Sequence, residues 1–116
     1  MVKRAYIPEA GDLVWGSFDP QSGHEQSGRR PAIVLSPGEY NEKAGLALTC
    51  PITSKVKGYP FEVAVNSSRV RGVILADQVR SLDWRSRQST FIERASTDTL
   101  EAVVQSLGTL LQMSES

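Results

Sequence analysis

The sequence predicts a mainly β (α+β) fold, namely a small barrel or sandwich of five to seven short strands with one C-terminal helix. Short β-prone apolar runs alternate with polar turns from residue 12 to residue 92, a spacing typical of compact β proteins. The pattern then changes to a helical period at the C-terminus. Because 116 residues fit one domain, we expect a single domain over residues 1–116.

The first three predicted strands cover residues 12–18, 31–36 and 46–52. Asp19-Pro20 ends the first strand, and a polar loop over residues 21–30 leads to the second. The second run is almost continuously apolar, which indicates a strand buried on both faces. In the third, Pro51 predicts that the far end lies at an edge or a bulge, because proline cannot donate a ladder hydrogen bond.

The later strands are shorter. A polar loop over residues 53–59 precedes an alternating run over 61–65, and two further runs over 72–76 and 79–84 flank Asp77-Gln78. Residues 91 and 92 add a last strand segment.

A single apolar stripe predicts the C-terminal helix. Its members recur at helical spacing, namely Leu100, Val103, Val104, Leu107, Leu110 and Leu111. Asp98 and Glu101 have the spacing of a capping box, and Ser96 and Thr97 are neighbouring candidates for the cap.

Composition excludes several classes of protein. Cys50 and His24 are the only residues of their types, which rules out an internal disulfide and a closed Cys/His zinc site. No apolar run approaches the roughly 18 residues of a membrane span, and the N-terminal residues do not resemble a secretory signal. We therefore expect a cytoplasmic protein without a membrane role.

The net charge of zero hides an uneven distribution. Residues 55–94 contain eight basic and four acidic side chains, whereas residues 95–116 contain three acidic side chains and no basic one. The middle of the chain can therefore present a positive face, although such charges can equally be the solvated sides of strands.

The polar loop over residues 21–30 carries the densest group of reactive side chains, which are His24, Glu25, Gln26, Arg29 and Arg30. A carboxylate beside guanidinium groups can serve as a base facing an anion, as phosphoryl transfer requires. The same pair can also be only a surface salt bridge. The sequence lacks the carboxylate cluster of a metal nuclease, so an RNA-cutting activity would use the substrate's 2′-hydroxyl without a metal.

The residues also resemble a known family, the MazF/PemK toxins. The opening stretch GDLVW, followed by FDP and GHEQSGRRPAIVLSP over residues 11–37, is similar to the start of that family. The stretches CPIT at 50–53, KGYPFEV at 57–63 and ADQVRS at 76–81 continue the match in order. The similarity covers about residues 6–112 and is greatest to the MazF branch.

The resemblance implies a small SH3-like, CcdB-like barrel with a C-terminal helix that forms a homodimer. It implies a type II toxin that cleaves single-stranded mRNA at a short sequence, without ribosome, metal or cofactor. Cleavage would leave a 2′,3′-cyclic phosphate and a 5′-hydroxyl. The expected partner is a cognate MazE-like antitoxin with an acidic, partly disordered tail that folds onto a basic groove.

The resemblance assigns three catalytic residues, with Glu25 as candidate base, Arg30 on the phosphate and Thr53 hydrogen-bonded to it. Arg29 stands where MazF relatives often have histidine, which leaves His24 as the available imidazole. Leu75 stands where the PemK branch has a catalytic arginine. Supporting or RNA-binding roles are expected for His24, Gln26, Arg29, Ser54, Lys55, Lys57, Asp77, Gln78 and Arg80.

Other interpretations of these residues remain open. Thr53 can simply cap a turn, and Asp77-Gln78 can be a turn between strands. Trp15 and Trp84 are expected in the core, with Cys50 as a small buried hydrophobe. Two other functions are a CcdB-like toxin that poisons gyrase without chemistry and a degenerate relative that only binds RNA or an antitoxin.

Overall fold

The computed structural model describes residues 5–17 and 29–113. These residues form seven strands and two helices. In chain order they are β1 (Asp12–Ser17), β2 (Arg29–Val34), α1 (Gly38–Ala44), β3 (Ala47–Thr53), β4 (Glu62–Asn66), β5 (Arg71–Leu75), β6 (Arg80–Leu82), β7 (Thr90–Arg94) and α2 (Thr97–Leu110). Each predicted strand is present with bounds shifted by a few residues, and Phe18, at the end of the first prediction, lies outside the described residues.

The strands form a barrel-like antiparallel sheet in the order β4-β5-β3-β2-β1-β7, with β6 also paired to β3. Strand β3 has β2 along one side, and on the other side β6 and then β5. Of the two predicted alternatives, an edge or a bulge, the edge position is therefore wrong, and the structure instead shows an irregularity in the pairing at Pro51. Pro51 lies in an interior strand, between the segment that pairs with β6 and the segment that pairs with β5, where the pairing on that side is interrupted.

Two apolar clusters fill the two faces of the central strands. Leu13, Ile33, Cys50 and Ile74 are fully buried in the first cluster, together with Val103 of α2. The second cluster consists of Val14, Val34, Ala47, Leu82 and Trp84. Neighbouring residues of β2 contribute to opposite clusters, which confirms the predicted two-sided burial of this strand.

Helix α1 was not predicted from the sequence. Its seven residues are mostly polar, so they show no apolar period, and the buried Asn41 side chain takes the place of an apolar anchor. Asn41 donates hydrogen bonds to the carbonyl oxygens of Pro8 and Ser36. Gly45 ends the helix in the left-handed conformation and donates its N–H to the carbonyl oxygen of Asn41.

Helix α2 is confirmed, and of the predicted cap candidates Ser96 is the cap, whereas the predicted Asp98–Glu101 capping box is wrong. The Ser96 hydroxyl accepts a hydrogen bond from the backbone N–H of Thr99 at 3.1 Å. Only Val103 of the apolar stripe is fully buried, and Val104, Leu110 and Leu111 remain exposed. Neither helix in the described part of the chain is long and apolar enough to cross a membrane.

The two tryptophans differ in environment. Trp84 is buried and donates its indole N–H to the carbonyl oxygen of Asn41, as expected for a core residue. The prediction of a core position for Trp15 is wrong, since 37% of its surface is exposed. Its neighbours across the sheet are Pro31 and Thr90, which are too small to cover an indole ring.

Candidate active site

Six of the predicted site residues line one open cleft of about 250 Å³, which we call the first cleft. They are Arg30, Thr53, Lys55, Lys57, Asp77 and Gln78. Tyr59, Phe61, Glu62 and Leu75 complete its lining. Residues distant in the sequence thus meet where β2 begins and β3 ends.

Arg30 reaches this cleft because of its position on β2. It pairs with Gly16 of β1, and adjacent strand residues point to opposite faces of the sheet. Arg29 accordingly points away, where it donates a hydrogen bond to the Thr90 hydroxyl at 3.0 Å and lies 6.0 Å from the centre of the Trp15 ring. The described contacts therefore place Arg29 on a different face from Arg30.

Thr53 is the last residue of β3. Its hydroxyl oxygen accepts a hydrogen bond from the backbone N–H of Lys55 at 3.1 Å, as in a turn-capping threonine. The hydroxyl proton stays available for donation toward the cleft, because the turn uses only the oxygen as an acceptor. The turn-capping role and a role in the cleft are thus compatible.

Gly72 of β5 fixes the backbone at Thr53, a feature that sequence reasoning missed. A Cβ on Gly72 would lie 2.2 Å from the carbonyl oxygen of Thr53 and 3.2 Å from the Cα of Ser54. The φ of Gly72 is also +142°, a region that side chains disfavour. Only glycine lets β5 come this close to the end of β3.

The loop that follows Thr53 is organised by Glu62, which sequence reasoning also missed. Its carboxylate accepts hydrogen bonds from the backbone N–H groups of Lys57 and Gly58, at 3.0 and 2.9 Å. The Lys57 ammonium lies 6.0 Å from the centre of the Tyr59 ring, and that ring is exposed. Because Glu62 holds the loop through backbone N–H groups, it does not occupy the side chains of Lys55 and Lys57, which line the cleft.

Asp77 and Gln78 form the predicted turn and also line the cleft. The Gln78 backbone N–H donates to the carbonyl oxygen of Leu75 at 3.0 Å. Cys50 lies behind this turn, and burial, with a smaller effect of the Asp77 charge, raises the pKa of its thiol to about 11. A thiol that stays protonated in the core is not a nucleophile, in agreement with the predicted structural role of Cys50.

A second cleft of about 380 Å³ adjoins the first. Arg30, Thr53 and Lys55 line both clefts, and the second is completed by Pro31, Ile52, Ser54 and Arg71. The predicted residue Ser54 is therefore found here. Arg80 belongs to neither lining, since it lies on β6, where its carbonyl oxygen accepts a hydrogen bond from the Thr49 hydroxyl.

Three predicted residues, His24, Glu25 and Gln26, lie outside the described residues. Within residues 5–17 and 29–113, no group of three or more His, Cys, Asp or Glu side chains is placed to hold a metal ion. The described part of the site thus offers a guanidinium, two ammonium groups and a hydroxyl facing one cleft. These groups can bind a phosphate and stabilise negative charge that develops on it.

Comparison with known proteins adds independent evidence. Residues 9–111 match the model of the family described as the PemK-like, MazF-like toxin of type II toxin–antitoxin systems. The endoribonuclease toxin MazF of Escherichia coli K12 is 54% identical over 90 residues, which are 78% of this chain and 80% of that protein. The endoribonuclease PemK of Escherichia coli is 30% identical over 116 residues, covering 96% of this chain and 87% of that protein.

Solved structures agree. A crystal structure of MazF from Deinococcus radiodurans is 55% identical, has a TM-score of 0.84, and aligns with 94% of this chain and 100% of its own. A MazE–MazF structure from the same organism is 54% identical and has a TM-score of 0.85. The alignment covers 94% of this chain and 100% of the matched chain. These likenesses confirm the predicted small β fold with a C-terminal helix.

Proposed function

The chain belongs to the PemK-like, MazF-like toxins of type II toxin–antitoxin systems, and we propose that it acts as an endoribonuclease on single-stranded mRNA. One observation carries the proposal: Arg30 and Thr53 line the same cleft with Lys55 and Lys57, although they come from separate strands and loops. A cationic cleft with a hydroxyl donor suits a phosphodiester. The relatives named as endoribonucleases support the same substrate class.

In the proposed reaction, the 2′-hydroxyl of the RNA attacks the adjacent phosphorus. Glu25 accepts the proton of that hydroxyl, the bond between phosphorus and the 5′ oxygen breaks, and the leaving oxygen takes a proton from solvent water, to which Glu25 afterwards returns the proton it accepted. The products are a 2′,3′-cyclic phosphate and a 5′-hydroxyl. Because the nucleophile belongs to the substrate, the step needs no metal to activate a water.

The roles of the described residues follow from charge. The Arg30 guanidinium balances the negative charge that grows on the phosphate oxygens in the transition state, and Thr53 donates its hydroxyl proton to one of them. Lys55 and Lys57 hold neighbouring phosphates of the strand. Asp77 and Gln78, which line the same cleft, offer hydrogen-bonding groups to a base of the strand.

We also propose a cytoplasmic protein regulated by a cognate antitoxin. The solved MazE–MazF complexes of Deinococcus radiodurans support such a partner. An acidic antitoxin segment would compete with RNA for the same cationic side chains. The exposed apolar side chains of Val104 and Leu110 in α2, and of Leu111 directly after it, would lose contact with water in a homodimer.

The test is to incubate the purified, antitoxin-free protein with a long, weakly structured RNA in EDTA and to map the 5′ ends of the fragments. We expect cuts at one short sequence with 5′-hydroxyl ends. Activity that appears only when Mg²⁺ is restored would contradict the proposed nucleophile. Intact RNA in both conditions would contradict the nuclease function and favour a binding-only or gyrase-directed toxin.

A further inference from the structure

We propose that the second cleft is a phosphate subsite for the flanking part of the RNA strand and that Arg71 is its outer anchor. The inference rests on the proposed ribonuclease function and extends it to a residue that neither the sequence motifs nor the family resemblance indicated. It predicts that the strand continues from Arg30, at the reacting phosphate, toward β5.

The charge of the second cleft differs from that of the first. The first cleft contains the carboxylates of Glu62 and Asp77 beside its cationic side chains. The second contains the cations Arg30, Lys55 and Arg71, and none of the described residues that line it is acidic. Three cations on the described part of one surface fit a polyanion and offer little to the edge of a base.

The Arg71 side chain is available for such a ligand. Within the described part of the chain, its guanidinium makes no hydrogen bond or ion pair, and the residue is exposed. Two other exposed arginines are engaged: Arg69 donates to the carbonyl oxygen of Ile92 at 3.3 Å, and Arg94 is paired with Asp12 at 2.8 Å. A guanidinium without an internal partner can bind phosphate in a bidentate manner without breaking an existing contact.

The backbone holds Arg71 at a fixed position relative to Thr53. Val73 pairs with Thr53 in the sheet, and the intervening Gly72 packs against the Thr53 carbonyl. Arg71 therefore begins β5 directly beside the turn that carries Ser54 and Lys55. Because both clefts share Arg30, a strand bound at the reacting phosphate has a continuous cationic path to Arg71.

A subsite of this kind contributes to binding the strand and leaves the chemical step unchanged. We therefore expect Arg71→Ala to raise KM and to leave kcat near the value of the unmodified protein. Removal of one phosphate contact should also lower the slope of log Kd against log salt concentration by about 0.7 for a single strand. The effect should not depend on the base sequence of the flank, because phosphates carry no sequence information.

The experiment measures Kd at several salt concentrations for an oligonucleotide that contains the mapped cleavage sequence with a 2′-deoxy residue at the cut site. Arg71→Ala should weaken binding about fivefold and lower the salt slope, whereas Arg71→Lys should keep the slope. Arg87→Ala is the matched control. It removes the same charge from an exposed residue that lines neither cleft, so it should change neither quantity.

A second measurement locates the contact. Trimming the oligonucleotide one nucleotide at a time should reveal one flanking phosphate whose loss weakens binding to the unmodified protein and has no further effect on Arg71→Ala. Equal affinities and salt slopes for Arg71→Ala and Arg87→Ala would overturn the proposal. It would also be overturned if removal of that phosphate weakened binding to Arg71→Ala as much as it weakened binding to the unmodified protein. An unmodified protein that cleaves no RNA would instead refute the proposed function, so the two failures are distinguishable.

Discussion

Replacing Gly72 by alanine tests how strongly the site depends on the approach of β5 to the end of β3. The new Cβ would lie 2.2 Å from the Thr53 carbonyl oxygen, about 1.2 Å inside ordinary van der Waals contact. The atom it meets belongs to the backbone, so a side-chain rotation cannot relieve the clash. Either β5 or the Thr53–Ser54 turn has to move.

The expected cost has two parts. Overpacking of this kind costs about 1–3 kcal/mol, and holding a side chain at a φ of +142° costs about 1–3 kcal/mol more. Alanine also lowers the conformational entropy of the unfolded chain, which offsets about 0.4–1 kcal/mol of this loss in stability. We therefore expect Gly72→Ala to lower the free energy of unfolding by about 1–5 kcal/mol, a large share of the stability of a small domain at the upper end of that range.

Gly58→Ala is the matched control. Gly58 also has a positive φ, +79°, but a Cβ there would meet no atom of the described residues within 4 Å. In Gly58→Ala only backbone strain destabilises the folded protein, and the restriction of the unfolded chain offsets part of it. We therefore expect the free energy of unfolding to fall by about 1 kcal/mol or less. The difference between the two variants thus reports the clash with Thr53 together with the larger backbone strain at Gly72.

Urea denaturation followed by the fluorescence of the buried Trp84 measures both variants, and a cleavage assay on the same samples reports the geometry of Thr53. With an m value of about 1–3 kcal/mol/M, Gly72→Ala should unfold at a clearly lower urea concentration than Gly58→Ala. The folded fraction of Gly72→Ala should also cleave RNA more slowly than the unmodified protein does. Equal midpoints for the two variants would refute the argument from close approach.

Three further predictions concern other parts of the chain. Arg30→Ala should lower kcat at least about 100-fold while the free energy of unfolding stays within about 0.5 kcal/mol, and near-normal cleavage would remove Arg30 from the mechanism. The free energy of unfolding should fall as pH rises from 9 to 11, because the unfolded thiol ionises near 9 while burial raises the pKa of Cys50 in the folded protein to about 11. Denaturation curves in reductant should show a flatter pH dependence for Cys50→Ala over that window, and an unchanged slope would contradict this origin. Ser96→Ala should cost about 1 kcal/mol through loss of the helix cap, whereas Ser106→Ala within the same helix should cost far less, and equal losses in thermal or urea unfolding would count against the cap.

Elements with a clear apolar period were predictable from the sequence. The run that became β2 shows its two-sided burial directly in consecutive apolar residues, and the stripe of α2 follows the helical period. Helix α1 had no such signal, because its anchor is the buried amide of Asn41 and its partners are backbone oxygens distant in sequence. Trp15 was misplaced because composition does not reveal that Pro31 and Thr90 lie beside it.

The candidate site was predictable in its residue types and only partly in its arrangement. The family resemblance indicated Arg30, Thr53 and Lys57, and the structure brings all three to one cleft. Their chemical roles stay predictions. Arg71 carries no local signal, because its relevance depends on β5 pairing with the end of β3. Gly72 is similar, since the constraint on it comes from the approach of another strand.

The position of β3 between three partner strands has a consequence for amide hydrogen exchange. The amides of β3 face β2 on one side and β5 or β6 on the other, so exchange along the whole strand requires the pairing on both sides to break, which approaches unfolding of the whole sheet. The exposed loop after Thr53 is held by few contacts and should exchange through small local openings. Thr53 therefore lies at the boundary between β3, where we expect slow amide exchange, and the loop that follows, where we expect fast exchange. A ligand in the clefts should slow exchange in the loop by orders of magnitude more than it slows exchange in β3.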